Sequence, residues 1–173
     1  MLEKLRGKDE IRIEMVCLGN VCRSPMAAAV LDNKGAKLGA PKLIVSSSGT
    51  SRYHIGEGAH KSSVRTWEAA GYKYHHEAKQ FSPASFREQD LILCMDLSNR
   101  AMVLTAAKSE ADRSKVFMLR QFDPLLKDID LTSKQGEDLV VPDPWGSEMD
   151  AFSQVLAMIE RATDGLIDWL TNK

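Results

Sequence analysis

The sequence has little cysteine, no long apolar run and almost no net charge. Its three cysteines, Cys17, Cys22 and Cys94, are an odd number among 173 residues, and the opening MLEKLRGKDE lacks the apolar core of a secretion signal. These absences argue against a disulfide framework and leave packing, metal binding or thiol chemistry for the sulfur atoms. No apolar stretch approaches the roughly 20 residues that a membrane helix needs. We therefore expect a cytoplasmic protein.

The positive and negative charges of the sequence nearly balance each other. Twenty-three Lys and Arg residues against 24 Asp and Glu residues give a formal net charge of -1. A chain without a basic field has no electrostatic reason to bind nucleic acid or an anionic membrane, so neither is expected as a partner. The length and the 43% content of hydrophobic residues fit one compact domain. Composition leaves the oligomeric state unknown.

Segments with strand character alternate with segments with helical character along the chain. Strands are predicted at IRIEMVC, KLIVSSSGT, DLILCMD and KVFML, and the helical segments between and after them are MAAAVLDNK, KSSVRTWEAAGY and SNRAMVLTAA. This alternation favours an α/β fold with a four-stranded parallel sheet and helices on both faces. We expect one domain over residues 11–173, preceded by a polar leader at residues 1–10.

Two helix starts carry capping signals. Ser24 is predicted to cap the first helix, with Pro25 in its first turn. Ser147, followed three positions later by Asp150, has the form of a capping box in front of a long C-terminal helix. Residues 120–142, which precede this box, are polar and without periodicity, and a loop of that length is usually functional or disordered.

Residues 16–25, VCLGNVCRSP, combine the features of an anion site. They lie between a predicted strand and a predicted helix, where parallel sheets form their ligand sites and a helix N-terminus offers free N–H groups. Gly19 and Asn20 can turn successive N–H groups inward, and Arg23 presents a planar fork to phosphate oxygens. Helix N-termini and cations favour the thiolate, so Cys17 at the base of the loop is predicted to be a nucleophile.

A thiolate that attacks phosphorus also needs a proton donor for the leaving oxygen. Asp143 is the best candidate, because the two prolines of VPDPWG stiffen the backbone on either side of it. Oxidation of Cys17 to a sulfenic acid is expected to lead to a disulfide with Cys22, which lies on the same tight loop. The alternative for Cys22 is that it fills space below the loop.

At these residues the chain resembles the low-molecular-weight protein tyrosine phosphatases. The resemblance runs from about Ile11 to the final helix and includes VCLGNVCRSP, SSSGT, HEAKQF, DLILCMDLSN and VPDPWG. It implies a flavodoxin-like, or phosphotyrosine phosphatase I-like, fold. It also implies that no metal or other cofactor is needed and that the partner is a tyrosine-phosphorylated protein.

The resemblance assigns roles residue by residue. Cys17 resembles the nucleophile, Arg23 the phosphate-binding arginine, and Asp143 the general acid and base. The remaining residues of the phosphate-binding loop would be Leu18, Gly19, Asn20, Val21, Cys22 and Ser24. Ser47 would support this loop, and Tyr53 and Trp145 would form the walls of the substrate cleft.

Three positions depart from the family pattern. Ala28 and Ser46 stand where acidic residues are common, so His76, which resembles a histidine paired with those acids, would lack its usual partners. Gly146 stands where a second aromatic wall is common. We expect catalysis to survive these departures, while cleft shape and regulation are affected.

Four other functions fit the same residues less well. A thioredoxin-coupled arsenate reductase needs two closely spaced cysteines downstream, and only Cys94 lies there, inside an apolar strand. A phosphopeptide-binding module would have lost the nucleophile or the acid. A protein arginine phosphatase tends to have threonine at the position of Val21. A zinc site is not expected, because the histidines provide no pair at finger-like spacing.

Overall fold

The computed structural model describes residues 2–172, so residues 1 and 173, the outermost positions of the predicted leader and domain, lie outside it. Its four strands are β1 (Glu10–Cys17), β2 (Lys42–Gly49), β3 (Leu91–Cys94) and β4 (Val116–Met118). They form one sheet in the order β2-β1-β3-β4, and every neighbouring pair is parallel. This confirms the predicted fold class.

The described residues form six α-helices: α1 (Arg23–Gly35), α2 (Lys61–Ala69), α3 (Ser85–Glu88), α4 (Leu97–Ala106), α5 (Glu110–Arg113) and α6 (Met149–Thr171). Helices α1, α2 and α6 contact one another, and α4 contacts β3 and β4. Within residues 2–172, no helix combines the length and the apolar surface needed to span a membrane.

Strand β1 has an apolar core on each side because its successive side chains point to opposite faces. Met15 belongs to the cluster that contains Met26 of α1 and Leu166 of α6. Val16, its neighbour in sequence, belongs to the second cluster, which contains Val103 of α4. A central parallel strand covered on both faces explains why β1 ends in a continuous buried run.

The strand order places the candidate site. The chain leaves β1 for β2 on one side, whereas β3, on the other side of β1, leads to β4. Ligands of parallel α/β sheets bind where the order reverses in this way, outside the carboxyl ends of the strands. Cys17 ends β1, and Asp96 follows β3 by two residues. The two therefore meet at the same edge of the sheet.

Both predicted helix caps are wrong. Helix α1 begins at Arg23 with Cys22 at its N-cap, and the Ser24 hydroxyl bonds toward Cys17 and the loop. Helix α6 begins at Met149 with Glu148 at the N-cap and no side-chain cap. The Ser147 N–H instead donates to the carbonyl oxygen of Pro144, 2.9 Å away. This hydrogen bond closes a turn, and the helix begins after it.

The polar segment after β4 is anchored at several points. Arg120 donates from Nη1 to the carbonyl oxygens of Asp138 and Val140, and the fully buried Asp123 accepts from Arg161 of α6 at 3.0 Å. Short 3₁₀ helices divide the segment at Leu119–Phe122, Pro124–Leu126 and Lys134–Leu139. These contacts fix the point from which the chain enters VPDPWG.

A further 3₁₀ helix, Leu2–Leu5, precedes β1, and its Leu5 is buried in the cluster of α1 and α6. The division of the chain into a leader at residues 1–10 and a domain from residue 11 stays a prediction.

Candidate active site

Asn20 holds the loop between β1 and α1 in shape. Its backbone is left-handed, with φ of 56°, a conformation that asparagine tolerates better than most residues. Its side-chain Nδ2 donates to Ser24 Oγ at 2.8 Å and to Ser47 Oγ at 2.9 Å, while its Oδ1 accepts from the Lys79 N–H at 2.9 Å. The Asn20 side chain is fully buried, so these bonds satisfy it where water cannot.

His76 supports the same residue from outside the loop. Its Nε2 lies 2.6 Å from the Asn20 carbonyl oxygen, to which it donates. Burial lowers the pKa of His76, which favours the neutral imidazole at physiological pH. The sequence predicts that His76 lacks its usual acidic partners; the structure gives it a backbone partner, the Asn20 carbonyl oxygen.

Cys17 lies at the base of this loop, almost completely buried. The Asn20 N–H donates to its Sγ at 3.3 Å, and Ser24 Oγ is 3.0 Å from the same sulfur. The Ser24 hydroxyl is also 3.3 Å from the carbonyl oxygen of Ser48, so its single proton can be given to either. Donors directed at a sulfur are what a thiolate nucleophile requires.

Arg23 is buried and held by two elements that come after it in the chain. Its Nη1 donates to Asp96 Oδ2 at 2.6 Å and to the Val141 carbonyl oxygen at 3.1 Å, and its Nη2 is 3.7 Å from Asp143 Oδ2. A buried guanidinium is costly unless it is paired, so these contacts fix its orientation.

Asp96 was missed in the sequence analysis. One of its carboxylate oxygens binds Arg23, and the other accepts the Asn99 N–H at 2.7 Å and so caps α4. The signal was available, because an aspartate directly after the apolar run LILCM stands at the carboxyl end of a buried strand. Asp96 thus couples a strand end, a helix start and Arg23.

The predicted chemical groups meet in one cavity of about 190 Å³. It is lined by Cys17, Leu18, Gly19, Val21, Cys22, Arg23, Tyr53, His54, Asp143 and Trp145. The predicted residues Asn20, Ser24 and Ser47 do not line it and lie behind the loop that does. Nucleophile, arginine and acid candidates are therefore brought together, while their individual roles stay predictions.

Cys22 shares the cavity with Cys17 but differs from it chemically. Burial raises the pKa of Cys22 to about 12, and the Ser63 side chain opposes this only in part. Cys22 is therefore a neutral thiol at physiological pH. Cys17, Cys22 and Cys94 are all free and buried.

Gly49, at the end of β2, was also missed. A Cβ at this position would lie 2.6 Å from the Leu18 carbonyl oxygen and 2.9 Å from the Asn20 N–H nitrogen. Only glycine allows β2 to approach the loop this closely. The GT of SSSGT was the sequence signal for it.

The outer part of the cavity is apolar and exposed. Tyr53 is 77% exposed and Trp145 54% exposed, and both line the cavity; their role as walls of a substrate cleft stays a prediction. His54 was missed as a lining residue: its ring centroid is 5.4 Å from that of Trp145, and its Nδ1 is 2.8 Å from Glu57 Oε2. His60 contacts Trp145 from another direction, with ring centroids 5.2 Å apart.

Comparison with known proteins identifies relatives over almost the whole chain. Residues 12–173 match the family model described as low molecular weight phosphotyrosine protein phosphatase. A low molecular weight protein-tyrosine-phosphatase of Streptomyces coelicolor is 36% identical over 90% of this chain and 91% of its own length. Low molecular weight protein-tyrosine phosphatase A of Mycobacterium tuberculosis is 34% identical over 95% of this chain and 94% of its own.

Solved structures show the same architecture. A protein tyrosine phosphatase from Entamoeba histolytica, crystallised with Hepes in its active site, superposes with a TM-score of 0.79 at 29% identity. The superposition covers 91% of this chain and 94% of that one.

Proposed function

The chain belongs to the low molecular weight phosphotyrosine protein phosphatase family, and on that premise we propose that it hydrolyses phosphotyrosine in proteins through a phosphocysteine intermediate on Cys17. The observation that carries this proposal is the single cavity in which Cys17, Arg23 and Asp143 face the same space. Arg23 supplies positive charge there, and the proposed mechanism uses no metal ion. The cytoplasm is the proposed compartment, since a free thiol persists where the environment is reducing.

In the first step, the Cys17 thiolate attacks phosphorus. A P–S bond forms, the bond from phosphorus to the aryl oxygen breaks, and Asp143 gives its proton to that oxygen. Arg23 and the loop N–H groups stabilise the charge on the three equatorial oxygens. The held orientation of Arg23 supports this role, because a donor fixed in advance requires no reorganisation during the reaction.

In the second step, water attacks the phosphocysteine. The Asp143 carboxylate takes a proton from that water, an O–P bond forms, and the P–S bond breaks. The products are inorganic phosphate and the Cys17 thiolate, ready for another cycle.

The shape of the cavity favours phosphotyrosine. The sulfur lies beneath exposed aromatic side chains, so a long flat ring can reach it while packing against Tyr53 and Trp145, whereas phosphoserine is too short to do both. Val21 lines the cavity and offers no hydrogen bond to a guanidinium. We expect phosphotyrosine to exceed phosphoserine and phosphoarginine in kcat/KM by about a hundredfold or more.

A leaving-group series tests the mechanism. Asp143→Ala should lower kcat/KM far more for phenyl phosphate than for 4-nitrophenyl phosphate, because only the more basic phenolate needs the proton. Equal losses for both would remove Asp143 from this role. Matched peptides carrying each phosphorylated residue test the substrate, and a preference for phosphoarginine would overturn the assignment to tyrosine.

A further inference from the structure

Trp145 is half exposed, yet its indole ring is held by neighbouring rings. The His60 ring meets it edge-on, with an interplanar angle of 67° and centroids 5.2 Å apart. The same His60 ring stacks on Phe152 of α6, with ring centroids 5.3 Å apart and an interplanar angle of 21°. Phe152 is only 1% exposed, so this stack ties Trp145 to the hydrophobic core.

The backbone of His60 is fixed to the phosphate-binding loop. The His60 N–H donates to the Val21 carbonyl oxygen at 2.8 Å, within the loop that surrounds the nucleophile. The His60 ring also accepts the Ser62 N–H on Nδ1 at 3.1 Å, which caps α2. A single residue therefore joins the phosphate loop, the start of α2 and Trp145.

Trp145 is in turn joined to the proposed general acid. The backbone N–H of Trp145 donates to Asp143 Oδ1 at 3.1 Å. On the N-terminal side of the acid, Val141 is anchored by its N–H on the Met95 carbonyl oxygen at 2.7 Å. On the C-terminal side, Gly146 has φ of 76° and α6 does not begin until Met149. The ring contacts of Trp145 therefore restrain this end of the loop.

We propose that His60 is a positioning residue for proton transfer, whose ring holds Trp145 and thereby keeps the Asp143 carboxylate over the phosphate loop. The proposal rests on the proposed function, in which Asp143 protonates the leaving oxygen. It adds a residue that touches neither phosphate nor nucleophile and that acts only through Asp143. Small displacements of a catalytic group are costly, because proton transfer requires hydrogen-bond geometry.

The competing role for His60 is purely structural, as the cap of α2. Two substitutions separate the roles. His60→Asn keeps a side chain that is well suited to capping and removes the ring, whereas His60→Phe keeps an aromatic ring and removes the cap. A capping role predicts that Phe is the damaging change, and the positioning role predicts that Asn is.

The experiment is kcat/KM for phenyl phosphate and 4-nitrophenyl phosphate in wild type, His60→Asn, His60→Phe and Asp143→Ala. We expect His60→Asn to lose about tenfold on phenyl phosphate and less than about twofold on 4-nitrophenyl phosphate, a reduced version of the Asp143→Ala pattern. His60→Phe should keep the wild-type ratio between the two substrates while its Tm falls by about 2–4 °C through loss of the cap.

Trp145→Ala provides a second route that leaves α2 untouched. It should change the substrate ratio as His60→Asn does, and the double variant should change it no further, because both substitutions remove the same contact. This variant tests the proposal even if His60→Asn does not fold.

The positioning role would be overturned if His60→Asn or Trp145→Ala lost kcat/KM equally on both substrates. It would also be overturned if only His60→Phe altered the ratio of kcat/KM between the two substrates. If Asp143→Ala itself shows equal losses, the proposed function fails in its acid step. If Asp143→Ala behaves as expected and the His60 variants do not, only this inference fails.

Discussion

The two sides of the cavity are built differently. On the inner side, residues 17–24 are largely buried, and the polar side chains of Asn20, Arg23 and Ser24 all have partners within the protein. On the outer side, residues 52–57 and 142–147 are largely exposed and contribute rings and turns. The inner side can therefore hold one geometry for phosphorus, while the outer side can accommodate different protein surfaces.

The two sides should respond differently to substitution. Buried, fully bonded groups lose catalysis when one partner is removed, because the remaining groups are left unsatisfied. Exposed rings contribute contact area that water can replace in part. We therefore expect inner-side changes to affect the rate of chemistry. On the outer side, Asp143 and Trp145 are proposed to act on proton transfer, and changes at the other residues should affect the choice and binding of substrate.

The largest expected effect is that of Arg23→Lys. Lysine keeps the charge but cannot hold Asp96 and the Val141 carbonyl while presenting a planar fork to phosphate. We expect kcat for 4-nitrophenyl phosphate to fall by about a thousandfold or more, about 4 kcal/mol of transition-state stabilisation.

Arg12→Lys is the matched control, since the Arg12 side chain is exposed and, in the described structure, its guanidinium forms an ion pair only with Glu10. A loss in Arg23→Lys no larger than in this control would show that the inner side tolerates an altered geometry.

The next largest effect is expected on the rate at which Cys17 and Cys22 form a disulfide under oxidation. Peroxide would oxidise the Cys17 sulfur to a sulfenic acid, and the Cys22 thiolate would then form the S–S bond and release hydroxide. Because the pKa of Cys22 is raised to about 12, its thiolate fraction grows with pH below that value. Disulfide formation should therefore accelerate by up to about tenfold per pH unit between roughly pH 6 and 9.

Pulse oxidation followed by mass spectrometry of the Cys17 peptide measures this rate. Cys94→Ala should behave as wild type, because burial raises the pKa of Cys94 and keeps it a thiol. Cys22→Ala should form no such disulfide. Recovery of Cys22→Ala with thiol as complete as that of wild type would mean that Cys22 only fills space.

The smallest effect is expected on the outer side, from Tyr53→Ala. Tyr53 is 77% exposed and lines the cavity, so its substitution by alanine removes ring contact at the mouth of the cavity. KM for a phosphotyrosine peptide should rise about three- to tenfold, with kcat nearly unchanged. A fall in kcat as large as that caused by Arg23→Lys would erase the distinction between the two sides.

Local patterns were sufficient for much of this molecule. The strand before Cys17 and the alternation of elements predicted the parallel sheet, and the residues of VCLGNVCRSP and VPDPWG do lie around one cavity. The cap at Ser24 was predicted wrongly because its local propensity was outweighed by a buried tertiary network with Cys17 and Asn20. Propensity is a weak signal where such bonds compete.

The His60 contacts could not be predicted in the same way. His60 meets Trp145, which lies 85 positions later, and Phe152 only after α2 and α6 have packed together. A contact between distant elements leaves no periodicity or motif in the sequence from which it could be predicted. Asp96 could have been predicted, because it directly follows the buried apolar run LILCM.

Covalent catalysis by Cys17 can be tested by trapping the phosphocysteine intermediate. Asp143→Ala should accumulate it, because 4-nitrophenolate leaves without a proton while the attacking water lacks its base. Rapid quenching and peptide mapping should then find one phosphoryl group per chain on Cys17, and none in a Cys17→Ser/Asp143→Ala control. A phosphoryl group on another residue, or continued turnover in the control, would contradict covalent catalysis by Cys17.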